Sequence, residues 1–252
     1  MNKKIKIALV PGWSTELYHN KKEKQDIKKY WGENWIKKLE NFGFELFFYD
    51  QAGFGNHKAE KTFYTLDDYV LDLKKYLEEN NIKYLIAKSF GAAIATKLKA
   101  EFNLLEKIIL ISPAIIRQTA NKEIQANKIK KFIPKQIIEL ARDFYLTNIV
   151  KNKYYTEADD FLRKTYREIV TIDLSKKILE IPEAERMFFF GDQDTATPYK
   201  LFKKKTEIEE GDNLFLFPGG HNFLRDFDGK NSDITTYAAN LIKNFIENKY
   251  GK

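Results

Sequence analysis

Residues 84–91 read YLIAKSFG, an apolar run that ends in a serine between two small residues. The apolar run Tyr84–Ala87 gives way after Ser89 to a helical pattern. A serine on a sharp strand-to-helix turn holds its hydroxyl away from the backbone, and the residues two before and two after it must be small because the strand and the helix nearly touch. Ala87 and Gly91 meet that requirement. The pattern therefore predicts a nucleophilic serine at the end of a strand.

Two further polar groups follow apolar runs later in the chain. Asp194 ends the sequence GDQD at residues 191–194, and His221 ends PGGH at residues 218–221. Serine, aspartate and histidine thus occur in one of the chain orders known for catalytic triads. Asp192 lies in the same turn as Asp194 and is a second candidate for the acid.

The chain resembles the α/β-hydrolase superfamily from Ile5 to about Tyr250. Besides the three candidates, residues 11–13 (PGW) resemble the oxyanion loop of that family, with a proline where histidine is usual. Residues 50–55 (DQAGFG) resemble its Asp-x-x-Gly-x-Gly turn. The family pattern Gly-x-x-Asp selects Asp194 as the acid and leaves Asp192 as a turn-forming side chain.

The resemblance implies a role for each site residue. His221 is expected to remove the proton from Ser89 during attack, and Asp194 to hold the imidazole in the correct tautomer. The backbone N–H groups of Trp13 and Phe90 are expected to stabilise the charge that develops on the substrate oxygen. An ester would then react in two steps, through an acyl-enzyme that water hydrolyses.

Short apolar runs alternate with amphipathic stretches along most of the chain, which predicts a parallel sheet built from β-α-β units. We expect an α/β fold with a doubly wound, mostly parallel sheet of about six strands, without the first two strands of the α/β-hydrolase fold. The expected strands are 5–10, 44–49, 84–87, 107–112, 187–190 and 213–217. The expected helices are 27–42, 66–79, 90–102, 198–206 and 234–248.

The alternation stops between Pro113 and about Ile181, where helical patterns replace it. We therefore expect a hydrolase core of residues 1–113 and 182–252, and a helical cap (lid) insertion of residues 114–181. Helical patterns cover 129–133, 137–144 and 161–169, and the pair Thr156 and Asp159 could cap the last of them. In the family such a cap shapes the substrate pocket, but most of its apolar side chains must first bury one another.

Composition excludes several other classes of protein. The 252 residues, 43% of them hydrophobic, suit one compact domain. There is no cysteine, and the three histidines lack metal-ligand spacing, so no metal and no cofactor is expected. No run of eighteen apolar residues occurs, so we expect no membrane-spanning helix and a cytoplasmic protein. The net charge of +7 is spread over short runs without a nucleic-acid motif, so no nucleic-acid partner is expected.

The resemblance thus implies a serine hydrolase, and the breadth of the family favours a carboxylesterase that cleaves small to medium acyl esters or thioesters of small molecules. One alternative is an acyltransferase that uses the same triad and passes the acyl group to an alcohol or thiol. Another is a slow-turnover ligand-sensing or interaction protein that keeps the fold. The substrate and the oligomeric state are not specified by the sequence.

Lys88 departs from the expected surroundings of a nucleophile. The position before the serine is often enclosed, and a buried ammonium must find a carboxylate or carbonyl partner. Lys88 could therefore either disturb the turn or tune its charge, and the sequence leaves both open.

Overall fold

One parallel sheet forms the centre of the molecule. The computed structural model describes residues 4–22, 26–116, 153–211, 213–229 and 232–248. Within them six strands follow the order β2-β1-β3-β4-β5-β6, and every adjacent pair is parallel. The strands are β1 Ile5–Val10, β2 Phe44–Phe48, β3 Tyr84–Lys88, β4 Lys107–Ile111, β5 Arg186–Gly191 and β6 Leu214–Phe217. The predicted sheet is thereby confirmed.

Helices flank this sheet. The described helices are α1 Ile27–Trp31, α2 Glu33–Asn41, α3 Leu66–Asn80, α4 Phe90–Glu101, α5 Lys153–Thr156, α6 Asp160–Ile169, α7 Tyr199–Thr206, α8 Phe223–Asp226 and α9 Ser232–Ile246. In the part of the chain that the structure describes, no helix is long and apolar enough to cross a lipid bilayer.

The central strands are buried on both faces. In β5 every residue is buried, and the run Phe188–Phe190 has no solvent exposure. A parallel sheet covered by helices on both sides needs such continuous apolar runs, which is why these strands are easy to recognise in the sequence. Since parallel strands end at the same edge, the turns that follow β3, β5 and β6 lie close together. These turns carry Ser89, Asp194 and His221.

The helix predicted over residues 27–42 is divided into α1 and α2, so this prediction was wrong in one respect. Gly32 separates the two helices with φ of +98°, a left-handed conformation that favours glycine. The carboxylate of Asp228 then caps α2, because it accepts hydrogen bonds from the backbone N–H groups of Trp35 at 2.9 Å and Asn34 at 3.1 Å. A Cβ at Gly32 would lie 3.0 Å from Cγ of Asp228, so the cap also requires a small residue there.

Only part of the predicted cap belongs to the described residues. Residues 117–152, with the helical patterns predicted at 129–133 and 137–144, lie outside them. Asp159, and not Thr156, caps α6, since its carboxylate accepts the backbone N–H of Leu162 at 2.9 Å. The helix α6 lies against the core, where Thr165 Oγ1 accepts the backbone N–H of Tyr64 at 3.0 Å. The domain boundaries stay a prediction.

Gly91 allows α4 to pass close to the end of β1. A Cβ at Gly91 would lie 2.4 Å from the carbonyl oxygen of Pro11 and 2.6 Å from that of Val10. Because backbone atoms cannot easily move aside, Gly91→Ala is expected to lower the free energy of unfolding by about 1–3 kcal/mol. Urea titrations measure this difference. Gly220→Ala is the matched control, since its Cβ would meet no described atom within 4 Å. Equal stability of the two variants would contradict this close packing.

Candidate active site

Ser89 lies on a strained turn between β3 and α4. Its φ and ψ are +51° and −116°, an unfavourable region for any residue with a side chain. The turn is held in place because the N–H of Ser89 donates to the carbonyl oxygen of Ile111 at 2.9 Å and its own carbonyl accepts from Ala92 and Ala114, each at 3.0 Å. Strain retained at one serine after a strand is typical of a nucleophile elbow.

His221 and Asp194 are in direct contact. His221 Nδ1 lies 2.8 Å from Asp194 Oδ2, and the Asp194 side chain is fully buried. Thr197 completes the surroundings of the carboxylate, since its hydroxyl donates to Oδ2 at 2.7 Å and its backbone N–H donates to Oδ1 at 2.9 Å. A hydrogen bond from Nδ1 to a carboxylate leaves Nε2 of the imidazole unprotonated and able to act as a base.

The Asp194 carboxyl is held in its ionised form. Burial by itself raises the pKa of a carboxyl, but the hydrogen bond from His221, the charge of that ring and the hydrogen bonds from Thr197 outweigh burial. The pKa of Asp194 therefore lies well below its usual range. An ionised carboxylate behind the imidazole is what stabilises an imidazolium when His221 accepts a proton.

Asp192, the other candidate acid, has a different environment. It is exposed, and its Oδ1 accepts the backbone N–H of Gly219 at 2.9 Å. The two loops approach closely here, since a Cβ at Gly191 would lie 2.4 Å from the carbonyl oxygens of Gly219 and Gly220. Asp192 thus stabilises the loop that carries His221, whereas Asp194 contacts the ring.

The loop after β1 presents a backbone donor beside Ser89. Gly12 allows a close approach, since a Cβ there would lie 2.8 Å from Cβ of Ser89. The backbone N–H of Gly12 donates to the hydroxyl of Tyr30 at 2.8 Å, which fixes the orientation of the loop. Within the described residues, the N–H groups of Trp13 and Phe90 donate to no protein acceptor. That both N–H groups donate to a substrate oxygen stays a prediction.

A cleft of about 230 Å³ opens at this edge of the sheet, and both Ser89 and His221 line it. Tyr30 and Tyr154 form part of its wall. A larger groove of about 340 Å³ lies between β2 and α3 and is lined by His57. Among the described residues no serine, threonine or cysteine lines that groove, so the smaller cleft is the better site for covalent chemistry.

The sequence places this architecture in a known family. Residues 29–173, more than half of the chain, match the family profile described as serine aminopeptidase, S33. The chain belongs to this family of α/β-hydrolases. No curated protein matches the sequence at a significant level.

Solved structures of other α/β-hydrolases are similar to this S33 family member over almost the whole chain. An esterase from Exiguobacterium antarcticum has a TM-score of 0.65 at 17% identity and covers 96% of this chain and 93% of its own. A meta-cleavage product hydrolase from Pseudomonas fluorescens has a TM-score of 0.63 at 17% identity, covering 98% and 92%. A bromoperoxidase from Bacillus anthracis has a TM-score of 0.63 at 18% identity, covering 97% and 92%. At these identities the likeness shows the fold alone.

Lys88 of this S33 family member is buried beside Ser89, and its hydrogen-bond partner is neutral. Its ammonium donates to the side-chain oxygen of Asn222 at 2.7 Å and lies 5.0 Å from the centre of the Tyr30 ring. Burial lowers the pKa of Lys88 to about 7, and the nearby positive charge of Arg225 lowers it further. The elbow geometry of Ser89 is intact, so the lysine does not disturb the turn.

The structure adds three residues to the predicted site: Thr197, Tyr30 and Asn222. Thr197 donates to Asp194, Tyr30 accepts from the N–H of Gly12 and Asn222 accepts from Lys88. No spacing in the sequence distinguishes these three residues, because each lies in a turn or helix, where its residue type is common. The position of Asn222 directly after His221 was the one available signal.

The other two histidines make contacts with the backbone. Nδ1 of His19 lies 2.9 Å from the carbonyl oxygen of Gly53, and Nδ1 of His57 lies 2.9 Å from that of Asp50. Among the described residues, no group of three or more His, Cys, Asp or Glu side chains could hold a metal ion.

Proposed function

We propose that this chain is a serine hydrolase that cleaves carboxylic esters with small to medium acyl groups, or the corresponding thioesters, through an acyl-enzyme on Ser89. The observation that carries the proposal is the 2.8 Å contact between His221 Nδ1 and Asp194 Oδ2, beside a cleft that Ser89 and His221 share. Hydrolases of known structure with the same fold support it.

In the proposed reaction these residues act in the following order. Ser89 Oγ attacks the ester carbonyl while His221 Nε2 takes its proton, and Asp194 stabilises the imidazolium. The carbonyl oxygen becomes an oxyanion that accepts hydrogen bonds from the N–H groups of Trp13 and Phe90. The intermediate collapses, and His221 returns the proton to the departing alcohol. Water, activated by His221, then attacks the acyl-enzyme and releases the acid.

We also propose that residues 114–181 form a helical cap on a core of residues 1–113 and 182–252. Contacts of the described part support this. The hydroxyl of Tyr18 donates to the carbonyl oxygen of Tyr154 at 2.8 Å, and the ring of Tyr166 lies 5.7 Å from that of Trp13. The segment thereby reaches the cleft, so it is expected to influence substrate choice. A cytoplasmic location stays a prediction from the sequence.

Esters are better candidates than peptide N-termini. An aminopeptidase, the activity that the family description names, must recognise the positive ammonium at the start of a peptide. The cleft is lined by Lys88, Lys153 and Arg225 and by a single described carboxylate, that of Glu16. This surplus of positive charge disfavours a cationic substrate.

The test uses the intact protein with a fluorophosphonate probe, p-nitrophenyl esters from acetate to palmitate, and aminoacyl p-nitroanilides. Covalent labelling and turnover of short esters, with little cleavage of the anilides, are expected. Faster cleavage of anilides than of esters would instead indicate an aminopeptidase. Diversion of the acyl group to an added alcohol or thiol would favour the acyltransferase alternative. A folded protein that neither labels nor turns over would overturn the proposal and favour the ligand-sensing alternative.

A further inference from the structure

The cleft beside Ser89 has an unusual balance of charge. Its described lining includes Lys88, Lys153 and Arg225 against the carboxylate of Glu16. Arg225 Nη1 and Glu16 Oε2 lie 2.9 Å apart, and Lys153 Nζ lies 3.9 Å from Glu157 Oε1. Two of the three cations therefore have a carboxylate near them, and Lys88 is the exception.

Lys88 is 5% exposed, and its partners are uncharged. They are the amide oxygen of Asn222 and the face of the Tyr30 ring. Within the described residues, no carboxylate oxygen lies within 4.0 Å of its ammonium. A buried cation is normally stabilised by an ion pair, whereas the carboxylates nearest to this one, those of Asp226, Glu16 and Asp194, are not in contact with it.

The position of Lys88 relates it to the departing alcohol of the proposed reaction. Asn222 and Arg225 follow His221 in the chain, and His221 is the group that protonates the departing alcohol. Lys88 and Arg225 are also close enough for the charge of Arg225 to lower the pKa of Lys88. Lys88 and Arg225 line the same cleft as Ser89 and His221, so an anionic group on an alcohol that departs toward His221 is expected to meet both cations.

We propose that Lys88 and Arg225 form an anion-binding subsite beside Ser89, and that the preferred substrates are esters whose alcohol portion carries a carboxylate. The inference deepens the proposed function and rests on it. Such a carboxylate would supply the counter-charge that Lys88 lacks. The fixed cations would bind it with charge-assisted hydrogen bonds, while the ester carbonyl lies against Ser89.

A purely structural role for Lys88 makes a different prediction. If Lys88 only holds Asn222 and the His221 loop in place, its loss must slow the cleavage of every ester by the same factor. If it binds an anion, its loss must change the ratio between a charged and a neutral ester. This ratio is therefore the quantity to measure.

The experiment compares three acetates that form the same acetyl-enzyme: phenyl acetate, 4-acetoxybenzoate and 4-acetoxy-N,N,N-trimethylanilinium. Each kcat/KM is divided by the rate constant for hydrolysis by hydroxide, which corrects for the leaving group. The anionic ester is expected to exceed phenyl acetate by about tenfold or more, as for a hydrogen bond to a charged group. The cationic ester is expected to be the slowest. Equal corrected values for the anionic and neutral esters would overturn the proposal.

Variants assign the effect to residues. Lys88→Met keeps the length of the side chain and removes its charge. Arg225→Gln removes the second cation at a partly exposed position, so it can be tested even if Lys88→Met does not fold. Both are expected to bring the anionic-to-neutral ratio close to 1.

Glu16→Gln is expected to raise the ratio, because it removes a nearby negative charge. Lys75→Met, which changes a side chain 77% exposed, is the control for net charge and should leave the ratio unchanged. An unchanged ratio in both Lys88→Met and Arg225→Gln would exclude the subsite.

The same ratio should depend on pH. With a pKa of about 7, Lys88 loses its charge as the pH rises from 6 to 8.5 in the free enzyme. The groups around it are Arg225, Asp226, Glu16, Asp194, His221 and Tyr30. Effects of pH on the catalytic step itself are common to both esters, so they cancel in the ratio. The ratio should fall with rising pH, and this fall should be absent in Lys88→Met.

A binding measurement keeps the subsite testable if no ester is cleaved. The melting temperature of Ser89→Ala is followed with added 4-hydroxybenzoate or phenol. The subsite would be supported if 4-hydroxybenzoate, but not phenol, raised the melting temperature, and if this increase were absent from the variant that carries both Ser89→Ala and Lys88→Met. That support would hold even though the proposed function had failed. No difference between the two compounds would overturn the subsite.

Discussion

Ser89→Ala is expected to abolish labelling by a fluorophosphonate and to lower kcat for short esters by a factor on the order of 10⁶. The variant lacks the oxygen that forms the acyl-enzyme. Only noncovalent stabilisation of the transition state by the N–H groups of Trp13 and Phe90 is then expected to remain. Alanine has the same backbone preferences as serine at a φ of +51°, so the turn and the melting temperature should be retained. Single-turnover kinetics and intact-protein mass spectrometry measure both effects.

Ser175→Ala is the matched control for this prediction. The hydroxyl of Ser175 donates to Asp173 at 2.6 Å at the surface, away from the cleft. This variant should label and turn over like the parent. Turnover by Ser89→Ala at the parental rate would exclude the acyl-enzyme on Ser89, whatever the control shows.

Asp194→Asn is expected to lower kcat by about 10⁴, with a much smaller change in KM. The amide places an N–H donor or a neutral oxygen opposite His221 Nδ1 and removes the charge that stabilises the imidazolium. It also replaces the anion that accepts hydrogen bonds from Thr197 and from the backbone of Ala196. Because the residue is buried, the loss of charge is not compensated by solvent.

Asp192→Asn removes the same charge two residues earlier. The amide oxygen of asparagine can still accept the N–H of Gly219, so the loop should keep its structure and kcat should stay close to that of the parent. A large loss in Asp192→Asn together with a mild one in Asp194→Asn would assign the acid to Asp192. Comparing the two variants therefore decides a choice that spacing alone could not.

Strands were predicted more accurately than helices, for a physical reason. A buried strand such as β5 is a continuous apolar run, and charged or small residues mark its ends. The division between α1 and α2 depends on Gly32 and on Asp228, which lies 196 positions later and caps α2. A glycine inside a helical pattern does not by itself predict that the helix ends there, and the residue that caps the next helix is too distant in sequence to be recognised.

The candidate site shows the same contrast. Ser89, Asp194 and His221 each follow a strand, so their order and spacing could be recognised, and the structure brings Asp194 and His221 into contact. Their catalytic roles stay predictions. Tyr30 and Asn222 depend on contacts between distant segments, and local pattern does not reveal these. Lys88 was noticeable in the sequence, but its lack of a charged partner was not.

The cap that Asp228 places on α2 has a consequence for the making of the protein. Tyr30 in the preceding helix α1 accepts the N–H of Gly12 beside Ser89, and Asp228 follows His221 by seven residues in the chain. During synthesis the cap on α2 cannot form until Asp228 has left the ribosome. A nascent chain that ends before Asp228 can therefore carry Ser89 without the contact that fixes the start of α2.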